Sequence, residues 1–187
     1  MEHVKRIKRE LVYTGAILHM YKDTIETPDG RHAEWDFIGH KGAAAVVPVL
    51  PDGRIVMVRQ YRNALDRMTL EIPAGARDFA EEPTFDCAAR EVEEETGYAA
   101  GKLEKLITLR TAIAYCDELI DVYVATDLKK TQQHLDEDEF IQIEYYTIEE
   151  LQGMIFDGTL QDAKTVAALM SYVAWKGLQI QDATDEK

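Results

Sequence analysis
The stretch from Pro83 to Gly97 restricts the fold of this chain more than any other. Pro83 suits the first turn of a helix, where a missing N–H costs nothing, and Gly97 suits its end, where the backbone turns left-handed. Between them Phe85, Ala89 and Val92 share one face at helical spacing, and such an apolar face needs something to bury it. The sequence on either side reads as strands, so the natural cover is a sheet.

Ala43 to Leu50 is a continuous apolar run of strand length, Pro51-Asp52-Gly53 is a turn, and Ile55, Met57, Val58 and Tyr61 follow as the returning strand. Met68 to Ile72 reads as a short strand ending at Pro73, with Gly75 opening a loop. Further strands are expected at Leu103 to Ala112, Leu119 to Ala125 and Phe140 to Tyr146. Helices at Ile148 to Phe156 and Asp162 to Leu178 close the chain, the second carrying Val166, Leu169, Met170, Val173 and Trp175. At the other end Leu11, Tyr13, Ala16, Ile17 and Leu18 begin a strand-like region that turns at Pro28-Asp29-Gly30 and returns through Trp35, Phe37 and Ile38. The expected class is an α/β (α+β) sandwich, a mixed sheet between helices, with an N-terminal antiparallel hairpin or sheet. Residues 1–40 would form that sheet, residues 41–181 the main domain, and residues 182–187 a frayed tail.

Apolar residues make up 46% of the 187, enough for a real core, and 30% are charged. The formal net charge of −14 sets the chain against nucleic-acid backbone and anionic membrane, which would repel it. Most of this charge reads as solvated surface. An anionic phosphate substrate remains open to such a protein where bound cations screen it. The two cysteines, Cys87 and Cys116, stand in no metal-ligand or redox spacing, and a reducing cytoplasm fits them. The first ten residues are charged, without an apolar leader segment, and the longest apolar run is far short of a membrane span.

The chemistry concentrates in Arg90-Glu91-Val92-Glu93-Glu94-Glu95-Thr96-Gly97-Tyr98. At about 100° per residue, Glu91, Glu94 and Glu95 fall within roughly a third of the helix circumference, while Glu93 points elsewhere. Hard divalent ions take oxygen ligands, and Mg²⁺ typically uses one or two carboxylates with water and substrate phosphate. A plain solvated acidic face is the competing reading, since like-charged helix pairs cost only about 0.2–0.5 kcal/mol each.

These residues resemble the Nudix box, Gly, five residues, Glu, seven residues, then Arg-Glu-apolar-X-Glu-Glu-X-Gly-apolar. Arg90 to Tyr98 matches every fixed position of the second half. The first half is one residue longer: Glu81 keeps the spacing from Gly75, whereas Glu82 keeps the spacing to Arg90, which favours Glu82 for the early role. Leu70 to Gly75, Arg59-Gln60-Tyr61-Arg62, and Asp136 to Ile141 are similar to the ADP-ribose pyrophosphatase branch of that family. The likeness runs from about Gly42 onward.

The resemblance implies Mg²⁺-dependent hydrolysis (Mn²⁺ as an alternative) of a nucleoside diphosphate linked to another group, ADP-ribose giving AMP and ribose 5-phosphate. It implies Glu91 and Glu95 as metal ligands, Glu94 as a ligand or water bridge, the Ala74 carbonyl completing the site, and Glu139 as a ligand from the acidic loop. Glu137 would be the general base, with Glu139 the alternative, and Arg90 would hold Glu94 in place. For the substrate it implies Arg62 and Arg59 at the nucleotide, Glu71 at an amide or hydroxyl, and Trp35 stacked on adenine. Surface charge and ordinary packing are the plain readings of those four. Two departures bear on substrate choice. No arginine stands near Trp35 in the way the family often has it, and Ala112 to Glu118 lacks a Ser-Pro-Gly turn before Asp117-Glu118. The resemblance also implies a homodimer assembled through the N-terminal sheet. Other nucleoside diphosphate sugars or dinucleotides are rival substrates, and a non-catalytic ADP-ribose sensor is the rival outside the enzyme class.

Overall fold
The computed structural model describes residues 3–15 and 18–185, with side chains through residue 179. Fifteen elements follow in order: β1 (Lys5–Thr14), β2 (His19–Glu26), β3 (His32–Gly39), β4 (Ala43–Pro48), β5 (Ile55–Arg62), β6 (Arg67–Glu71), β7 (Ala74–Ala76), α1 (Thr84–Thr96), β8 (Tyr98–Ala99), β9 (Lys102–Arg110), β10 (Leu119–Thr126), β11 (Lys129–Lys130), β12 (Gln142–Tyr146), α2 (Ile148–Phe156) and α3 (Ala163–Asp185). They fall into two compact units. One holds the chain up to Gly42 together with Arg110–Leu119, and the other holds Ala43–Leu109 and Ile120 onward.

In the larger unit β4 is the centre. It pairs in parallel with β10, Val46 opposite Tyr123, and antiparallel with β7, Ala44 opposite Gly75. The sheet order is β7-β4-β10-β9, and a second sheet runs β12-β5-β6. Period-two alternation explains why β4 reads as uninterrupted apolar sequence. Ala44 and Val46 face α1, meeting Cys87, Ala88 and Val92, while Ala43, Ala45 and Val47 face the other core with Met57, Ile72, Leu151 and Leu169. Helices therefore cover both faces of a mixed sheet, the sandwich expected. Each fully buried valine here contributes about 1.5–3 kcal/mol of transfer free energy.

The smaller unit is a three-stranded antiparallel sheet, β1-β2-β3, where a single hairpin was the minimal reading. The expectation for Ala16 and Ile17 lies outside the described residues. Four further differences have local causes. Ala74–Ala76 is a strand, not an open loop, because its backbone completes the edge beside β4. The two-residue strands β8 and β11 pair with each other, and nothing in so short a run announces them. The expected frayed tail is helical as far as Asp185, since no glycine or proline interrupts the backbone after Gly177; Glu186 and Lys187 lie outside the described residues. Phe85, placed on the packed face of α1, is 49% exposed and meets Tyr123 edge-on, because Cys87 and Ala88 occupy the ground beneath. Among the described residues no helix is long and apolar enough to cross a membrane.

Candidate active site
Burial of Cys87, Ala88 and Val92 fixes the rotation of α1 and turns Glu91 and Glu95 inward toward the turn between β6 and β7. Gly97 ends the helix at φ 66°, the left-handed conformation glycine takes without cost, and its N–H donates to the Glu93 carbonyl at 2.8 Å. Glu91 and Glu95 are 8% and 4% exposed. The Ala74 N–H donates to Glu95 Oε2 at 3.0 Å. Glu91 lies against Gly75, whose missing side chain makes room for it: a β carbon there would stand 2.2 Å from the carboxyl carbon.

Arg90 ties the acids together. Its Nη1 donates to Glu91 Oε1 at 2.6 Å and to Glu94 Oε2 at 3.1 Å, and its Nη2 reaches the Ala76 carbonyl at 3.3 Å. The guanidinium also meets Glu82 at 3.4 Å, and Glu82, itself buried, accepts the Asp78 N–H at 2.7 Å. Glu81 is exposed. The expected convergence of three carboxylates is thus altered. Glu91 and Glu95 face the turn, while Glu94 leans toward Arg90 and stays 39% exposed. Among the described residues no three His, Cys, Asp or Glu side chains stand together as a metal cluster; the Arg90 guanidinium bridges two of the acids.

Burial pushes the Glu91 carboxyl up to about 7 against the pull of Arg90. Burial and the charge of Glu91 push Glu95 up to about 8, with the Ala74 N–H opposing. Glu139 in the loop raises both, so its charge reaches the pair. Residues 136–140 are exposed, and Glu139 accepts the Asp136 N–H at 3.2 Å. The base of this loop is docked on the end of α1. Gln133 Nε2 donates to the Glu95 carbonyl at 2.6 Å, and the His134 N–H to the Glu94 carbonyl at 2.9 Å. Sequence reasoning did not find these two residues, whose contacts are backbone-directed and leave no motif.

Beside the acids a cleft of about 680 Å³ is lined by Arg59, Arg62, Glu71, Met154, Gln161 and Lys164 among others. Three of the four expected substrate residues therefore share one cavity. Arg62 grips Glu71 through two bonds of 2.7 and 2.8 Å. Arg59 grips Glu144, one of the two bonds measuring 2.9 Å. Burial raises the Glu71 carboxyl, but Arg62 and Lys164 more than offset it and hold it down at about 2. Trp35 is on β3, in the smaller unit, and is 51% exposed. Lys164 and its neighbour Asp162, bonded at 2.9 Å, were not foreseen: Lys164 lies 93 residues from Glu71 in sequence.

A helix-covered mixed sheet that sets an Arg-Glu-Val-Glu-Glu-Glu helix against a glycine turn defines a hydrolase of phosphoanhydride bonds. The NUDIX domain model matches residues 39–169, and the chain belongs to the Nudix family. It is 36% identical over 179 residues to the ADP-ribose pyrophosphatase of Bacillus subtilis (strain 168), a match covering 95% of this chain and 96% of that one. It is 37% identical to the methanol dehydrogenase activator of Bacillus methanolicus, covering 98% and 96%. The crystal structure of an ADP compounds hydrolase has the same fold, with a TM-score of 0.85 at 22% identity over 96% of this chain and 97% of that one. Family membership and these relatives make the chain an enzyme that acts on nucleoside diphosphate derivatives.

Proposed function
We propose that the chain hydrolyses ADP-ribose to AMP and ribose 5-phosphate with Mg²⁺, Mn²⁺ being able to replace it. The observation that carries this reading is the pair Glu91 and Glu95, buried side by side against a glycine turn without enough positive charge to keep both ionised. Such a pair fits a hard cation. Glu91 and Glu95 would hold it, with Glu94, the Ala74 carbonyl and Glu139 as further oxygen donors. When bound, the ion neutralises the crowded charge of the diphosphate and acidifies water.

The protein's own groups do the rest. Arg90 keeps Glu91 and Glu94 from separating. Glu137 takes the proton of the attacking water as a new P–O bond forms and the bridging P–O bond breaks, the leaving phosphate departing with the bridging oxygen. Arg62, Arg59 and Glu71 orient the rest of the substrate in the cleft. The relative from Bacillus subtilis, whose length this chain matches almost throughout, favours ADP-ribose over other nucleoside diphosphate sugars and dinucleotides. Exposed Ile7, Leu11, Val12 and Tyr13 on β1 support a homodimer, and a cytoplasmic site of action suits the two free thiols.

A panel of nucleoside diphosphate sugars and dinucleotides, assayed with Mg²⁺, tests the substrate. ADP-ribose should show the highest kcat/KM, and Glu95→Gln should lower kcat at least ~100-fold with an unchanged circular dichroism spectrum. An inert ADP-ribose, or a variant as fast as the parent, overturns the reading.

A further inference from the structure
The second half of the turn from Glu71 to Gly75 meets both buried acids of α1. There Ala74 gives its N–H to Glu95 and Gly75 leaves space for Glu91. The first half is held by α3. The N–H of Ile72, a fully buried residue, donates to Thr165 Oγ1 at 3.0 Å. That hydroxyl belongs to a residue with no solvent exposure, and it donates in turn to Asp162 Oδ2 at 2.6 Å. The same carboxylate oxygen accepts the Thr165 N–H at 3.0 Å and the Lys164 ammonium at 2.9 Å. Lys164 extends to Glu71 as well. Pro73, between the two halves, gives its carbonyl to the Val46 N–H at 2.9 Å. Its ring fixes φ, which leaves the short link from Ile72 to Ala74 fewer ways to absorb a displacement.

We propose that Thr165 is a positioning residue for the divalent-cation site. Through the Ile72 N–H its hydroxyl sets the distance of the turn from α1, and with it the spacing of the Glu91 and Glu95 carboxylates. The inference rests on the reading of those two glutamates as ligands. Position 165 has a definite chemical requirement. The group must accept from Ile72 while donating to Asp162, and a hydroxyl does both at once. Serine meets the requirement; valine keeps the shape and meets neither half. Loss of the hydroxyl leaves the buried Ile72 N–H without an acceptor, and the backbone has to move to find one.

Mn²⁺ uptake by the nucleotide-free protein, followed by the electron paramagnetic resonance of the free ion, is the direct test, with ADP-ribose turnover measured alongside. Thr165→Val should weaken Mn²⁺ binding about tenfold or more, the scale of lost outer contacts at metal sites, and lower kcat while KM stays within about twofold. Thr165→Ser should restore both to within about twofold of the parent. Should the valine variant fail to fold, Thr165→Cys, whose thiol is a longer and weaker partner, gives a graded form of the same measurement. A folded valine or cysteine variant that binds Mn²⁺ like the parent overturns the proposal. So does a serine variant as impaired as valine, which would assign the effect to the methyl group, and so does a parent that takes up no Mn²⁺. A parent that binds Mn²⁺ but leaves ADP-ribose intact sinks the substrate reading alone, and the binding series then decides this one.

Discussion
At Gly75 a β carbon would stand 2.2 Å from the Glu91 carboxyl carbon, and both carboxylate oxygens are as near. What must give way is the far end of the Glu91 side chain, which can swing aside at the cost of its bond to Arg90. Gly75→Ala should therefore displace Glu91 and weaken Mn²⁺ binding about tenfold or more, leaving the thermal transition little changed at this half-exposed edge. Wild-type affinity in the alanine variant would show that Glu91 is not held against the turn. Glu71 makes a second residue-level prediction. Its carboxyl sits at about 2 in the fold against an ordinary 4.5, so its ionised form favours the native state. That contribution, about 3 kcal/mol at most, is complete above the ordinary value and is lost as pH falls toward 2. Denaturant unfolding between pH 6 and 2.5 should show a shallower acid loss in Glu71→Gln than in the parent, and parallel curves would refute it. That Glu82 keeps the helix phase counted back from Arg90, which it meets, was legible in sequence; the partnership of Glu71 with Arg62 and Lys164 was not.

For α1 as an element, rotation was legible and neighbourhood was not. Helical spacing puts Glu91 and Glu95 on one side whatever the surroundings, but whether that side meets water or a turn depends on what β4 and β10 bury. Phe85 illustrates the limit, since an apolar residue at the right spacing lost its place to Cys87 and Ala88. The buried thiol of Cys87, pushed up to about 12 by its surroundings, is a filler and not a nucleophile. The raised acids give this element its own pH behaviour. With Glu91 at about 7 and Glu95 at about 8, the metal-free fold binds protons more tightly than the unfolded chain. The resulting stability is complete below 4.5 and is lost as pH rises through 7 and 8. Cation binding must expel those protons. Calorimetry of Mg²⁺ binding at pH 7 in buffers of differing ionisation enthalpy should register proton release, falling toward none near pH 9. Release that does not vary with pH would contradict the assignment of these acids as ligands.

On the scale of the whole molecule, β1 leaves Ile7, Leu11, Val12 and Tyr13 exposed on a sheet too thin to bury them itself. A sedimentation mass near twice 21.3 kDa is expected, and Leu11→Lys should shift it toward one chain; a parent of single-chain mass removes the dimer. The sequence by itself determined the sandwich class, the acidic helix and its two bounds, because these follow from local periodicity and from the special backbones of proline and glycine. Only the tertiary structure decided that Lys164 and Thr165 meet the turn 93 residues upstream of each, and that Ala74–Ala76 is an edge strand. Those are contacts between segments distant along the chain, and they depend on which surfaces burial brings together, a quantity no local pattern encodes.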